Sequence, residues 1–357
     1  MKILYIISSY NLYGGTPKKT LDLMKYFGEQ SVLYVYENSY PEFKTQFEST
    51  GGKVYEGFYG RNIYNHIIEL LAIIDKEKVD IIHTQFSFGE TLGGFVKLFR
   101  PKTKLVIAFV GPFKPRTIRK YILSQIYKKT DAFIYISEYV KKEKLEQFKI
   151  LKNKYGVIIY NGTEKRKDTL DSTIEMRKIS LFDIAGLIEC KNISILIEAF
   201  SLLAKKQNIS NIYLYVAGDG PQRKELENLI EHYMLKSNVF LLGYQKNVGK
   251  LLNDCDIFVH PAFMEGFGIV IAEAMLAEKP IIVANAGALP ELIENEKTGL
   301  IVDPYNAEKW AEAIMRMIED TKFAKRLAQN ARIMAENKFS IKEFSNNYEH
   351  LYLTLLK

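Results

Sequence analysis

A glycine-rich run between two glutamates, Glu265-Gly266-Phe267-Gly268-Ile269-Val270-Ile271-Ala272-Glu273, carries the strongest chemical signal in the chain. It directly follows the apolar, β-branched run 257–260 and therefore reads as strand, loop and helix start. Gly266 and Gly268 let the backbone approach a ligand closely, and the N–H groups around Gly268, Ile269 and Val270 form a diphosphate seat at the helix start. Glu273, about a turn into that helix, can accept hydrogen bonds from ribose hydroxyls, while Glu265 in the loop can reach a sugar. The plainer alternative is a solvated acidic loop capping a helix. Lys191, after the run 181–186, can point an ammonium at the same diphosphate. Gly14-Gly15-Thr16, after the first apolar run, permits close backbone approach to phosphates, or marks a simple strand-to-helix turn. His83 and His260 close apolar runs, where they can line a cleft or serve as structural histidines.

Positioning such groups requires a regular scaffold, and the chain has the pattern of one. Short apolar runs at 3–7, 32–36, 79–83, 105–110, 132–136 and 157–160 alternate with amphipathic stretches. After a charged, irregular segment the pattern restarts with runs at 181–186, 212–217, 239–242, 257–260, 281–284 and 300–302. Continuous apolar strands separated by helices predict parallel sheets covered on both faces. The expected fold is α/β: two Rossmann-like doubly wound domains facing across a cleft, at 1–172 and 173–340. A terminal helix, 341–357, is expected to pack back toward the first domain. Ligands of such sheets sit beyond the carboxyl ends of the strands.

The chain resembles the family 4 retaining glycosyltransferases of the GT-B fold, whose signature is two glutamates with seven residues between them around Gly-Phe-Gly. The resemblance extends through Gly14-Gly15, Asn161-Gly162, Lys191-Asn192, Gly218-Asp219-Gly220-Pro221, Gly287 to Glu291 and Thr298-Gly299. It implies that Glu273 binds the donor ribose, that Glu265 contacts the donor sugar, and that Tyr244 and Gln245 lie along the base. Their chemistry does not choose among uracil, guanine and adenine, although a UDP-sugar is the expected donor. The implied activity is retaining hexosyl transfer from a nucleotide-diphosphate sugar to a glycan or lipid-linked acceptor, in bacterial surface polysaccharide or glycoconjugate synthesis. Glu265 and Lys191 are the candidate catalytic residues. No cofactor and no metal are expected: Asp254-Cys255-Asp256 has an Asp-x-Asp spacing that binds cations in another glycosyltransferase fold, but here it precedes a buried strand. Two positions depart from the family. Gly186 stands where an arginine is common, and Val110 stands where a histidine is frequent. These departures support a second reading, an inactive GT-B subunit that binds a partner enzyme or glycan. A nucleotide-sugar epimerase is disfavoured by the complete glutamate pair.

Composition narrows the partners. The 357 residues are 47% apolar and 25% charged, and the longest apolar runs fall well short of the roughly 18 residues of a membrane span. Cys190 and Cys255 have neither disulfide-framework nor zinc-ligand spacing, as expected of a cytoplasmic protein. The net charge of +7 is uneven: residues 1–172 hold 28 basic against 18 acidic residues, or +10, leaving −3 for the rest. With no nucleic-acid-binding motif present, the basic half suggests peripheral contact with an anionic membrane. The stretch 114–129 has six basic residues interleaved with Ile118, Tyr121, Ile122 and Ile126 at helical spacing. An ordinary helix covering its own sheet is the alternative.

Overall fold

Apolar, β-branched runs with no polar face can satisfy their backbone and side chains only inside a sheet covered on both sides, and both halves of the chain solve this alike. The computed structural model describes residues 1–12, 15–166, 174, 176, 179–206, 209–245 and 247–357. It divides into two units, Met1–Gly162 with Ile341–Lys357, and Thr163–Ser340. The boundary expected at 172 and 173 lies outside the described residues. In the first unit β1 (Ile3–Ile7), β2 (Ser31–Val35), β3 (Lys53–Glu56), β4 (Ile81–Gln85), β5 (Lys104–Phe109), β6 (Ala132–Tyr135) and β7 (Gly156–Ile158) form a parallel sheet ordered β3-β2-β1-β4-β5-β6-β7. In the second, β8 (Ser180–Ile184), β9 (Tyr213–Ala217), β10 (Val239–Gly243), β11 (Ile257–His260), β12 (Ile281–Ala284) and β13 (Leu300–Val302) are parallel in the order β10-β9-β8-β11-β12-β13. Each unit is a Rossmann-like domain, as the restarting pattern implies. The order reverses between β1 and β4 in one sheet and between β8 and β11 in the other, opening a ligand crevice at each carboxyl edge.

The edge strand β3 has no counterpart among the sequence-predicted runs. Only Val54 and Tyr55 are apolar in it. Charge anchors it instead: Lys53 Nζ lies 2.7 Å from Glu77 Oε2, and the Tyr55 hydroxyl donates to Glu77 Oε1 at 2.7 Å.

The terminal helix Ile341–Leu356 belongs to the first unit, where Phe344, Tyr348, Leu351 and Tyr352 enter the core of β1 and its neighbours. Burying each such side chain stabilises by about 1.5–3 kcal/mol. His83, one of the two histidines at strand ends, lies beneath this helix: its ring stacks on Tyr348 with centroids 5.5 Å apart, and Nδ1 is 2.5 Å from the Tyr352 hydroxyl. Burial, and secondarily the charge of Lys19, lower its pKa to about 3, so the ring is neutral. His83 is thus a structural histidine of the first unit.

Lys19, on the helix Gly15–Phe27, is buried with no hydrogen-bond partner for Nζ among the described residues. Burial lowers its pKa to about 7, against an ordinary value of 10.5. The unfolded chain keeps the proton to higher pH, so stability rises as pH increases from about 7 to 10.5, and below 7 the fold carries the full penalty of a buried ammonium. Lys19→Met is therefore expected to stabilise the protein at pH 6 by about 1–4 kcal/mol, with the gain shrinking toward pH 10. Denaturant unfolding at the two pH values measures this, and a variant destabilised equally at both would show that the ammonium has a partner.

Candidate active site

In the second unit two loops leave the sheet where its order reverses. From β8 the chain runs through Ala185, Gly186 and Leu187 into the short turn Glu189–Lys191, followed by Asn192 at φ +56°. The Asn192 amide donates to the Pro304 carbonyl at 2.8 Å and to that of Pro261 at 3.4 Å. Phe263 N–H donates to the Cys190 carbonyl at 3.0 Å, joining the loop after β8 directly to the loop after β11. This loop carries Glu265, and Gly268, at φ +95°, turns the chain into the helix Ile269–Leu276. Behind Glu265 sits Gly287, at φ +57°, where any Cβ would fall 2.6 Å from the Glu265 carbonyl oxygen. Ala288 N–H donates to that oxygen at 2.9 Å, so the loop bearing Glu265 is held through its backbone as well as through its side chain.

These loops bring four ionisable side chains into one row. Glu265 forms an ion pair with Lys191. The fully buried His260 places Nε2 3.4 Å from Glu265 Oε2 and Nδ1 2.8 Å from Oδ1 of the equally buried Asp183. Asp183, His260, Glu265 and Lys191 thus alternate in charge when the imidazole is protonated. Burial opposes the imidazolium, but the charge and hydrogen bond of Asp183, joined by Glu265, outweigh it and raise the His260 pKa. Burial likewise works against the Glu265 carboxylate, but the His260 hydrogen bond and the Lys191 charge prevail and lower its pKa to about 2. The result is an ionised glutamate of defined orientation beside an ammonium.

Glu273 is buried on the helix Ile269–Leu276, with Nη2 of Arg166 2.8 Å from its Oε2. At the head of this helix, Gly268, Ile269 and Val270 supply amides that precede the first intrahelical acceptors. Gly266 lies in the same loop, and Phe267 anchors it, the buried ring meeting Phe339 edge-on with centroids 5.6 Å apart. Tyr244 and Gln245 follow β10, two strands from β8 on the same carboxyl edge; the Tyr244 ring is exposed, and Gln245 Nε2 donates to the Leu242 carbonyl at 2.8 Å. Gly15 and Thr16 open the helix after β1 in the first unit, while Gly14 lies outside the described residues. The two aspartates of Asp254-Cys255-Asp256 are engaged separately: Asp254 pairs with Lys250, and Asp256 accepts from the Ser180 N–H at 2.8 Å and hydroxyl at 3.1 Å. Among the described residues no three His, Cys, Asp or Glu side chains are grouped as metal ligands.

Asp183 and Arg166 were not legible as site residues. Asp183 has one sequence signal, a lone carboxylate inside the apolar strand Ser180–Ile184. Arg166 has none, since it stands in the charged segment between the two patterns.

Two family models match the chain: Glycosyltransferase Family 4 over residues 14–166, and Glycosyl transferases group 1 over residues 164–334. The chain belongs to this family of glycosyltransferases. It is 26% identical to the capsular polysaccharide biosynthesis glycosyltransferase CapM of Staphylococcus aureus, over 82% of this chain and 81% of CapM. It is 24% identical to the Escherichia coli UDP-Gal:alpha-D-GlcNAc-diphosphoundecaprenol alpha-1,3-galactosyltransferase, over 81% of this chain and 79% of that enzyme. Among solved structures, Anabaena HepE in complex with UDP superposes with a TM-score of 0.84 at 20% identity, covering 99% of this chain and all of that one, and so shares the fold.

Asp183→Asn tests the row of charges. Folded His260 holds its proton to higher pH than the ordinary 6.5, so its contribution is complete below 6.5 and is lost as pH rises through the folded value. Without the Asp183 charge, burial dominates and the His260 pKa is expected to fall, with a loss of about 3 kcal/mol at pH 6 that diminishes as pH rises. Histidine NMR titration and unfolding across pH read both quantities; an unmoved His260 would remove Asp183 from the row.

Proposed function

We propose that this glycosyltransferase moves a hexosyl unit from a UDP-sugar to a lipid-linked or glycan acceptor of a surface polysaccharide, with retained anomeric configuration and without a metal ion. The observation that carries this reading is the Lys191–Glu265 pair at the head of a glycine-opened helix that also bears the buried Glu273. The diphosphate rests on the amides of Gly268, Ile269 and Val270, and Lys191 offsets the charge that grows on it as the nucleotide leaves. Glu273 accepts from the ribose hydroxyls. Glu265, kept ionised by His260 and Lys191, faces the sugar, whose ring gains positive charge in the transition state. The acceptor hydroxyl attacks from the face the diphosphate leaves, and its proton passes to a departing diphosphate oxygen. Separate engagement of Asp254 and Asp256 supports metal-free transfer. A UDP donor is supported by the UDP named in the E. coli relative and in the HepE complex.

The two glutamates should separate by role. Glu273→Ala is expected to weaken free UDP by about 1.5–3 kcal/mol, whereas Glu265→Ala, which also frees Lys191 for the diphosphate, does not weaken UDP and lowers turnover by about tenfold or more. Calorimetry with UDP, paired with initial rates in EDTA, measures both. Equal loss of UDP binding in the two variants would overturn the placement of the donor, and activity that needs added magnesium or manganese would overturn the metal-free mechanism.

The reading includes peripheral contact with an anionic membrane. No helix among the described residues is long and apolar enough to cross one. In the helix Thr117–Lys129, Leu123 and Tyr127 are buried, while Ile118 is 80% and Tyr121 69% exposed among basic side chains. An apolar strip flanked by cations suits an interface rich in acidic lipid. Charge reversal at Arg116, Lys120, Lys128 and Lys129 together is expected to release the protein from phosphatidylglycerol vesicles, and salt to weaken wild-type binding. Unchanged sedimentation of the variant with vesicles would remove this helix from the interface.

A further inference from the structure

Nothing on its own helix answers the charge of the buried Glu273. The helix Ile269–Leu276 contains no basic residue, and Ile271, Ala272, Ala274, Met275 and Leu276 are buried along with the glutamate. Glu273 stands fifth in that helix, past the first turn in which the helix dipole favours an anion. A carboxylate withdrawn from water into such surroundings takes up either a proton or a counter-ion. The counter-ion is Arg166, whose Nη2 lies 2.8 Å from Oε2, with the Glu273 side chain 3% exposed. A guanidinium cannot lose its charge within a protein, so the pairing is permanent in sign. Its buried Nε makes no hydrogen bond among the described residues, and the carboxylate of Glu273 is the group to which this side chain is turned.

Arg166 reaches the helix because the backbone just before it is pinned. Thr163, the first residue of the second unit, donates its N–H to the Phe339 carbonyl at 2.8 Å and forms a parallel bridge with Ser340, the last residue of that unit. Phe339 in turn meets Phe267, in the loop between the two glutamates. The stretch 163–166 is thus tied to the glycine-rich loop through Phe339 and to the helix behind that loop through Arg166.

Ribose hydroxyls are donors that need an acceptor. An ionised carboxylate offers two acceptor oxygens and no hydrogen of its own, whereas a protonated one carries an O–H that must itself be placed. The charge of Arg166 favours the first form, and its contact with Oε2 orients it. We propose that Arg166 is a positioning residue of the donor site, holding Glu273 as a fixed, charged acceptor for the ribose hydroxyls and so making the site selective for ribonucleotide over deoxyribonucleotide donors. This rests on the placement of the ribose at Glu273 in the function proposed above. A guanidinium that only fastened the stretch 163–166 to the helix would influence every nucleotide alike, and the two roles are separable by varying the ligand and the residue together.

Calorimetry with UDP and with 2′,3′-dideoxy-UDP, on wild type and on variants of Arg166, makes that comparison. Wild type is expected to bind UDP at least about tenfold more tightly than the dideoxy nucleotide. Failure of wild type to bind UDP, or equal binding of the two, would sink the placement of the ribose at Glu273 rather than the role of Arg166. Arg166→Met keeps the apolar stem and removes the charge; it is expected to weaken UDP by about tenfold or more while dideoxy-UDP stays within about twofold of its wild-type affinity. Arg166→Lys, which retains the charge without the planar fork, is expected to restore part of the preference for UDP. Should Arg166→Met fail to fold, Arg166→Gln, which keeps an N–H donor for Glu273 without the charge, decides by the same comparison. With the wild-type preference established, equal weakening of both nucleotides in the uncharged variant, or an undiminished preference for UDP, would overturn the proposal.

Discussion

The row Asp183, His260, Glu265 and Lys191 is the constraint on which the second domain's site depends. Asp183 and His260 would be unfavourable alone, because an isolated buried charge is costly and both are fully withdrawn from water, while Glu265 and Lys191 are part-buried. Alternation resolves this. Asp183 holds the imidazolium, the imidazolium holds Glu265 ionised, and Glu265 holds the ammonium of Lys191. The row also ties together residues from β8, the loop after it, β11 and the loop after that, so the charges that could do chemistry are the same ones that register the loops. Loss of Asp183 would be felt at Glu265, which it does not touch.

Backbone geometry acts alongside the charges. Asn192 in a left-handed conformation and Gly287 at φ +57° are two positions where the chain departs from ordinary dihedrals to bring a loop against its neighbour. A side chain at Gly287 would collide with the Glu265 backbone, and the Asn192 amide bridges carbonyls from two other loops. A loop anchored through its backbone as well as its carboxylate keeps its place when the carboxylate exchanges partners. The two levels of constraint therefore control different properties of the site, since dihedrals and main-chain bonds set position while the row of charges sets ionisation.

Much of this was legible in the sequence because it rests on local rules. Parallel strands buried on both faces must be continuously apolar, and the runs they leave are visible one by one. The helix carrying Glu273 announced itself by Gly268, whereas the pairing of Lys191 with Glu265 became visible only once β8 and β11 were seen to be neighbours. The rest depends on contacts distant in sequence. Strand β3 is short, half polar and held by Glu77, so no apolar alternation marked it. His260 could be read two ways because its partner Asp183 lies 77 residues away and only the β8–β11 pairing brings them together. His83, equally ambiguous, took the opposite role because the terminal helix covers it, a packing fact that no pattern near residue 83 contains.

Gly186 shows how charge at this site is distributed rather than simply reduced. A Cβ on Gly186 would meet only the Asp219 carbonyl oxygen, at 3.9 Å, so crowding does not explain the glycine. The second cation of the site comes from elsewhere: Arg166 pairs with Glu273, as Lys191 pairs with Glu265. Without donor, the two carboxylates are thus matched by two cations and the site is close to neutral. On the proposed function, an arriving diphosphate competes with Glu265 for Lys191, whereas ribose hydroxyls can donate to Glu273 while Arg166 stays in place. Exchange at Lys191 returns part of the energy gained from the diphosphate and leaves Glu265 free to turn to the sugar. Binding of the nucleotide and readiness of Glu265 are then one event, because the ammonium that receives the diphosphate is the one that releases the carboxylate.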